Sequence, residues 1–314
     1  MCICANALQN SDLMPSDFIQ YIKAIKRYSD RTCESYSKVL EDFYGYIGPE
    51  SVPTINNIKS YEVHLMDECG MNPKSVSMHL SVLSSYCRYL VKQGKLKSNP
   101  ARLVKRPRVS KQLAKFYKRE EIERYFQENK GVLEYGAYPK ALNYMIINVL
   151  YCTGIRRSEL ISLNRSSFDA SRRVLKVTGK GDKMREIPLS TMLCDDFLLY
   201  LQSLGSLKYV DISAEAPLLQ TPTGKRLYPV FVDRAVKEEL GVAGINGQLS
   251  PHVLRHTIAS QLLEEGSDIN SIKEMLGHSS LAATQVYTHN SIQRLKSVYI
   301  NAHPRAKNGG NYGD

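Results

Sequence analysis

The chain has 314 residues, with 42 Lys or Arg against 31 Asp or Glu, so it carries a formal net charge of +11 and a pI near 9.2. The length predicts two domains, and 43% hydrophobic residues are enough for a core in each. The charge calls for a polyanionic partner without separating DNA from RNA or an acidic membrane surface, and no apolar run approaches the roughly 20 residues that span a bilayer. The opening MCICANALQNSDLM lacks a basic start and a long apolar stretch, so no signal peptide is expected. Seven scattered cysteines, with Cys2 and Cys4 in a single C-x-C, match neither a disulfide framework nor zinc-ligand spacing. A reducing cytoplasm fits this usage, and no metal or other cofactor is expected.

Residues 12 to about 98 read as helical. Phe18, Ile19, Ile22 and Ile25 recur at helical spacing, as do Val39, Leu40, Phe43, Tyr44 and Ile47. The run from Gly48 to Pro53 breaks the pattern. A helix follows from near Ile58 to near Gly70, and another from about Ser75 to Gln93 with Val76, Leu80, Leu83, Tyr86, Tyr89 and Leu90 on its apolar side. Four helices make a small bundle with its own core.

The next segment, NPARLVKRPRVSKQLAKFYKR from Asn99 to Arg119, contains no acid. Pro100 and Pro107 argue against a continuous helix. It reads as a basic interdomain linker over 99–117, in which Arg102, Lys105, Arg106, Arg108 and Lys111 track a phosphate backbone. A second, helical domain opens at Lys118. Tyr144 to Tyr151 reads as a buried helix and leads into TGIRRSEL, in which Arg156 and Glu159 stand three apart, on one face if helical. Taken alone that pair is an ordinary surface ion pair. Residues 173 to 189 predict a β-hairpin, with Val174–Thr178 and Arg185–Leu189 flanking the turn signal Gly179-Lys180-Gly181-Asp182. Residues 205 to 230 read as loop and short strand, and Val230 to Leu240 as a helix.

Near the C-terminal end the signals become dense. Ser250 is a plausible N-cap with Pro251 at the first helical position, and His252 and Arg255 share a helical face. Gly266 ends that helix, and Ser267 or Asp268 caps the next. Gly277 ends the second helix and puts His278 in a turn, and Ser279 or Ser280 opens a short helix carrying Tyr287. A guanidinium grips phosphate oxygens in pairs, an imidazole moves protons, and a tyrosine hydroxyl among such groups is a possible nucleophile. The set suits phosphoryl transfer without a metal.

On these residues, LSPHVLRHTIASQLLEEG, IKEMLGHSSLAATQVYTH, the terminal HPRA, TGIRRSEL and GKGDKMREIPL, the chain resembles the tyrosine site-specific recombinases, in particular the bacterial Xer branch. The resemblance runs from about residue 12 to 306. It implies a mainly α fold with a small antiparallel β-sheet: an N-terminal SAM-like core-binding domain over 12–98, and a Cre/Xer-type catalytic domain over 118–306 ending in an exchange helix. It also implies DNA strand cleavage and rejoining through a 3′-phosphotyrosyl link, with Tyr287 as nucleophile. Arg156 and Arg255 then hold the phosphate, His278 adds a hydrogen bond and His252 takes the tyrosine proton. Lys180 protonates the leaving oxygen, with Lys183 as its rival, while Glu159 and His256 stand behind the site as support or packing. The implied partner is double-stranded DNA at a specific site, bound by a homotetramer spanning two sites, with room for a paralogous recombinase or accessory DNA-binding proteins and no role for a membrane. The setting is the bacterial nucleoid.

Two other classes share some features. A type IB topoisomerase uses the same phosphotyrosine chemistry without synapsis. A non-enzymatic helix-turn-helix protein would explain 252–278, though it needs neither Tyr287 nor Arg156 and Lys180. The target sequence, and the choice among integration, inversion and dimer resolution, are not written in the motifs.

Overall fold

The computed structural model describes residues 15–108, 116–179, 182–205, 207, 210–245 and 247–277. The chain divides into two compact units, Met1–Gln112 and Leu113–Asp314.

The first unit holds α1 (Pro15–Ala24), α2 (Asp30–Ile47), α3 (Ile55–Val63), which runs on into a π-helical turn at His64–Glu68, and α4 (Pro73–Lys92). Short polar residues stop α2, α3 and α4 from fraying by accepting one orphan amide of the first turn. Ser29 takes the Thr32 amide at 3.4 Å, Thr54 that of Asn57 at 3.2 Å, and Asn72 that of Ser75 at 2.9 Å. The apolar stripes meet in one core containing Phe18, Leu40, Phe43, Ile58, Leu80, Leu83 and Tyr86. Each such side chain stabilises by about 1.5–3 kcal/mol relative to exposure. The tyrosines keep their hydroxyls satisfied inside: Tyr44 meets Tyr86 at 3.0 Å, and Tyr61 meets His79 at 3.1 Å. Ile25, expected on the apolar stripe, is 68% exposed, because α1 has already ended at Ala24.

The expected linker begins inside this unit. Asn99 caps a 3-10 turn at Pro100–Arg102 and donates to the Ser84 carbonyl at 2.8 Å, and Ala101 and Val104 are buried in the bundle core. Arg102, Lys105, Arg106 and Arg108 are exposed. Lys111 lies outside the described residues.

The second unit contains α5 (Arg119–Glu128), α6 (Val132–Tyr135), α7 (Tyr138–Thr153), α8 (Arg157–Ser162), β1 (Phe168–Asp169), β2 (Val174–Thr178), β3 (Met184–Pro188), α9 (Thr191–Leu204), α10 (Pro229–Val242), α11 (Pro251–Glu264) and α12 (Ile269–Leu276). Helix α7 is its axis. From Tyr144 to Thr153 every residue is buried, and the helix packs against α9, α10 and α11. An all-round apolar surface forces that central place.

The three strands form one antiparallel sheet in the order β1-β2-β3. The hairpin stands where the turn signal put it, with Leu175 opposite Ile187 and Val177 opposite Arg185. β1 was not anticipated. It is two residues long, too short for a period-2 pattern, and is held by Phe168 stacking on Phe197 at 4.7 Å. The short strand expected within 205–230 is absent among the described residues; only two isolated bridges, Asn164 with Pro217 and Gln220 with Arg226, occur there. None of the helices formed by described residues is long and apolar enough to cross a membrane.

Candidate active site

Helix α7 ends at Gly154 in the left-handed region (φ 61°), and a Cβ there would come within 2.5 Å of Leu276 Cδ2. The chain turns sharply and re-enters helix at α8. Arg156 is not inside that helix, as a shared helical face with Glu159 would require. It is the N-cap, with φ −74° and ψ 152°. Glu159, three residues on, reaches back to the Arg156 amide at 2.8 Å and to its Nη1 at 3.0 Å. The carboxylate thus fixes both the backbone and the side chain of Arg156.

Helix α11 starts as the sequence predicts, with Ser250 accepting the Val253 amide and Pro251 at the first position. His252 and Arg255 diverge in environment despite their spacing. His252 is exposed, whereas Arg255 is buried with 7% of its surface accessible. His256 is also exposed, so it does not pack into the core as one of its expected roles required. The entry to α11 has a brace that the sequence did not reveal. Tyr117, buried just before α5, donates its hydroxyl to the Gln248 carbonyl at 3.0 Å, accepts the Ser250 amide at 3.1 Å, and donates its own amide to Thr257 Oγ1 at 3.0 Å.

Helix α12, capped by Asp268 through the Ser271 amide at 3.0 Å, closes at Gly277 in the left-handed region (φ 66°). Its last carbonyls have no helical partners and carry the negative end of the helix dipole. Three arginines from three other elements cap them in succession. Arg185 of β3 donates Nε to the Met275 carbonyl at 3.1 Å, Arg255 donates Nη2 to that of Leu276 at 2.6 Å, and Arg156 donates Nη2 to that of Gly277 at 2.9 Å. Arg255 also donates to the Gly154 carbonyl. The turn before His278 is therefore the point where the three cations converge.

Among the described residues one carboxylate is hydrogen-bonded to two of them. Glu159 accepts Arg185 Nη1 at 3.0 Å and Nη2 at 2.8 Å beside its two bonds from Arg156, which fills the roughly four acceptor sites of a carboxylate. Burial pulls the Glu159 pKa upward, but the Arg185 hydrogen bond, the Arg156 amide and the Arg185 charge outweigh it and hold the group below its ordinary value. Burial, followed by the neighbouring Arg156 charge, pushes Arg255 down to about 10, against the pull of Glu159, so it is still cationic at neutral pH. Three cations and one anion leave a local charge excess suited to a phosphate. Arg156 is the most accessible of the three arginines, its side chain one-third exposed. Two of its five N–H donors are used by Glu159 and Gly277.

Arg156, Glu159 and Arg255 are thus brought together, with Arg185 added by the structure. Lys180, His278 and Tyr287 lie outside the described residues. Lys183 is exposed, and its carbonyl accepts the Gly179 amide at 2.8 Å across the hairpin end. Arg157 pairs with Asp233 and ties α8 to α10. Among the described residues no group of three His, Cys, Asp or Glu is placed to hold a metal.

Comparison with known proteins gives a consistent picture. The family model described as phage integrase family matches residues 115–294. The chain is 31% identical to "Tyrosine recombinase XerC" of Chlorobaculum parvum, covering 92% of this chain and 94% of that one. It is 33% identical to the protein of the same name from Bacillus licheniformis, covering 93% and 96%. Among solved structures, the Tn1549 transposon integrase in complex with transposon right end DNA superposes with a TM-score of 0.68 at 16% identity, covering 96% of this chain and 98% of that one. XerH site-specific recombinase bound to palindromic difH substrate gives 0.65 at 20%, covering 94% and 85%. At these identities the structures speak to the fold, a mostly helical chain with a small antiparallel sheet.

Proposed function

Because the chain belongs to the phage integrase family, we propose that Tyr287 attacks a scissile DNA phosphate whose non-bridging oxygens are clamped by Arg156 and Arg255. The protein is a site-specific DNA recombinase of the tyrosine type. The observation that best supports the clamp is the convergence of both guanidiniums on consecutive carbonyls, Gly277 and Leu276, at the turn that leads into His278 and Tyr287. Both arginines are aimed before DNA arrives, and donors oriented in advance stabilise charge that develops at phosphorus.

In the reaction, the Tyr287 oxygen forms a bond to phosphorus as the bond to the 5′-bridging oxygen breaks. The tyrosine proton passes to His252, which is exposed at the first turn of α11. A tyrosine has a free pKa near 10, so at neutral pH that proton needs an acceptor. Lys180 protonates the departing 5′-oxygen, and His278 adds a hydrogen bond to the phosphate. The 3′-phosphotyrosyl ester keeps the energy of the broken bond, so attack by a new 5′-hydroxyl rejoins the strand without ATP.

The test of this reading is covalent capture. A duplex nicked close to the cleavage point loses its short fragment and strands the enzyme on DNA. The expected result is a protein–DNA adduct stable to denaturant, with the modified peptide containing Tyr287. Absence of any adduct on DNA that the protein binds specifically would overturn the enzymatic assignment.

Lys180 is separated from Lys183 by leaving-group chemistry. Lys180→Ala is expected to slow cleavage of an ordinary phosphodiester by about 10²–10⁴-fold, the usual worth of general acid–base help. A 5′-bridging sulfur, which leaves without a proton, should restore most of the rate. Equal defects on both substrates would move the acid role away from Lys180, and Lys183 would be next.

In this scheme the 12–98 bundle clamps one side of the duplex, and the basic 99–117 strap tracks the phosphate backbone. Four protomers hold two sites, linked by the apolar stripe Ile292, Leu295, Val298 and Tyr299, which lies outside the described residues. A paralogous recombinase or accessory proteins fit the same assembly, which works on the nucleoid in a bacterial cytoplasm. Gel shifts on half-sites and full sites test strap and tail together. If Arg102, Lys105, Arg106, Arg108 and Lys111 each neutralise a phosphate, they alone contribute about −4.5 to the slope of log affinity against log salt. A nearly flat plot removes the strap. Truncation after His289 should spare half-site binding and remove cooperativity on the full site; unchanged cooperativity removes the tail from the assembly.

A further inference from the structure

Strand β3 contains a residue that breaks its own pattern. In the hairpin, Leu175, Val177 and Ile187 face the core, and the position opposite Val177 belongs to Arg185. A charge at a core-facing strand position is costly unless paired. Each guanidinium nitrogen of Arg185 is engaged: the side chain is 6% exposed, Nη1 and Nη2 hold both oxygens of Glu159, and Nε holds the Met275 carbonyl. The backbone is shaped around it. A Cβ on Gly277 would stand 3.0 Å from Nη1, 3.1 Å from Cζ and 3.3 Å from Nε of Arg185, and one on Gly179 would stand 3.4 Å from both Nη1 and Glu159 Oε1. Gly277 therefore leaves room for the guanidinium at the last turn of α12, while a side chain at Gly179 would reach only ordinary contact distance.

We propose that Arg185 is a positioning residue for the phosphate clamp: it does not meet DNA itself but holds Glu159 and the 275–277 turn so that Arg156 and Arg255 stay aimed. Glu159 determines the backbone and side chain of Arg156, and Arg185 supplies two of the four hydrogen bonds that hold Glu159. The turn whose carbonyls orient Arg156 and Arg255 is held at Met275 by the same guanidinium. Without Arg185, Glu159 would be a buried carboxylate with half its partners gone, free to draw Arg156 toward itself and away from the phosphate. Lysine is a poor substitute, because a single ammonium cannot span both carboxylate oxygens and the Met275 carbonyl at once.

This inference rests on Arg156 and Arg255 being the clamp, so Arg156→Met is measured beside the Arg185 variants. The assay is single-turnover cleavage of the nicked substrate, with half-site affinity and the melting temperature recorded for every protein. Arg185→Met is expected to slow cleavage by about 10–100-fold, the usual loss when a residue supporting a site's direct ligands is removed, with half-site affinity unchanged. Arg185→Lys should recover part of that rate. In the double variant Arg185→Met with Glu159→Gln the buried charges vanish together, so its defect should fall well short of the product of the two single defects, the excess over Glu159→Gln being the lost hold on Met275. Defects that multiply would show that Arg185 does not act through Glu159 and would overturn the proposal, as would wild-type cleavage by Arg185→Met. If Arg185→Met does not fold, Arg185→Lys decides: slower cleavage at unchanged affinity and melting supports positioning, and parallel losses in all three leave Arg185 a purely structural residue. Wild-type cleavage by Arg156→Met would sink the clamp itself, whereas loss in Arg156→Met with none in Arg185→Met sinks only the present inference.

Discussion

Tyr287→Phe is expected to bind its site with unchanged affinity and to form no covalent adduct at all. The substitution removes one oxygen and leaves the ring, so packing and charge are preserved while the atom that bonds to phosphorus is gone. In the proposed mechanism each of the other assigned residues acts on the phosphate or on a proton, so none of them is a second nucleophile. The effect should therefore be the largest of any single change in the chain, down to the detection limit of the nicked-substrate assay. Trapped adduct at a wild-type level in this variant would show that another residue is the nucleophile. Tyr117, Tyr151 and Tyr200 are poor alternatives, since each is buried and has its pKa raised by that burial.

Arg255→Lys is expected to lower the cleavage rate by about 10²–10³-fold, the usual cost of removing one preorganised donor from a developing charge. Charge is conserved in this variant, so the loss measures geometry. Arg255 bridges two elements, donating to the Gly154 carbonyl at the end of α7 and to the Leu276 carbonyl at the end of α12. An ammonium on a flexible stem cannot span both and still meet a phosphate oxygen. Arg255→Met should be slower still and less stable. It would strip a partner from two carbonyls in the interior, and an unmet buried acceptor costs about 1–3 kcal/mol. Single-turnover rates with melting temperatures separate the two effects. A lysine variant that cleaves within a few-fold of wild type would remove Arg255 from the clamp.

The Arg185–Glu159 pair shows why such a site is sensitive to partial damage. Both side chains are nearly inaccessible, at 6% and 4%. A buried ion pair contributes little net stability over an apolar pair, yet removing one partner costs about 3–5 kcal/mol. Its presence next to Arg156 is better explained by the orientation it enforces than by the stability it adds.

Much of this molecule was legible in the linear chain because its signals are local. Caps act over three residues: Ser250 with Val253 is readable from spacing alone, and so is the pair of candidates Ser267 and Asp268, of which Asp268 caps α12. The apolar run from Tyr144 to Tyr151 marked a buried helix, the turn signal from Gly179 to Asp182 marked a hairpin, and the boxes around Arg156 and Arg255 marked the family. What the chain could not disclose are choices made by residues far apart in it. Arg156 became a helix cap and not a helical side chain because Glu159 folds back on its amide. His252 and Arg255, three apart, took opposite environments because α11 turns one of them toward α7 and α12. Arg185 looked like one more charge in a hairpin, and Tyr117 like one more aromatic in a basic linker. Their roles depend also on partners 90 and more positions away: Met275 for Arg185, Gly277 for Arg156, and the α11 entrance for Tyr117. Local rules act within a few residues, whereas three arginines closing one helix end must wait until the core has packed and brought β3, α8, α11 and α12 together.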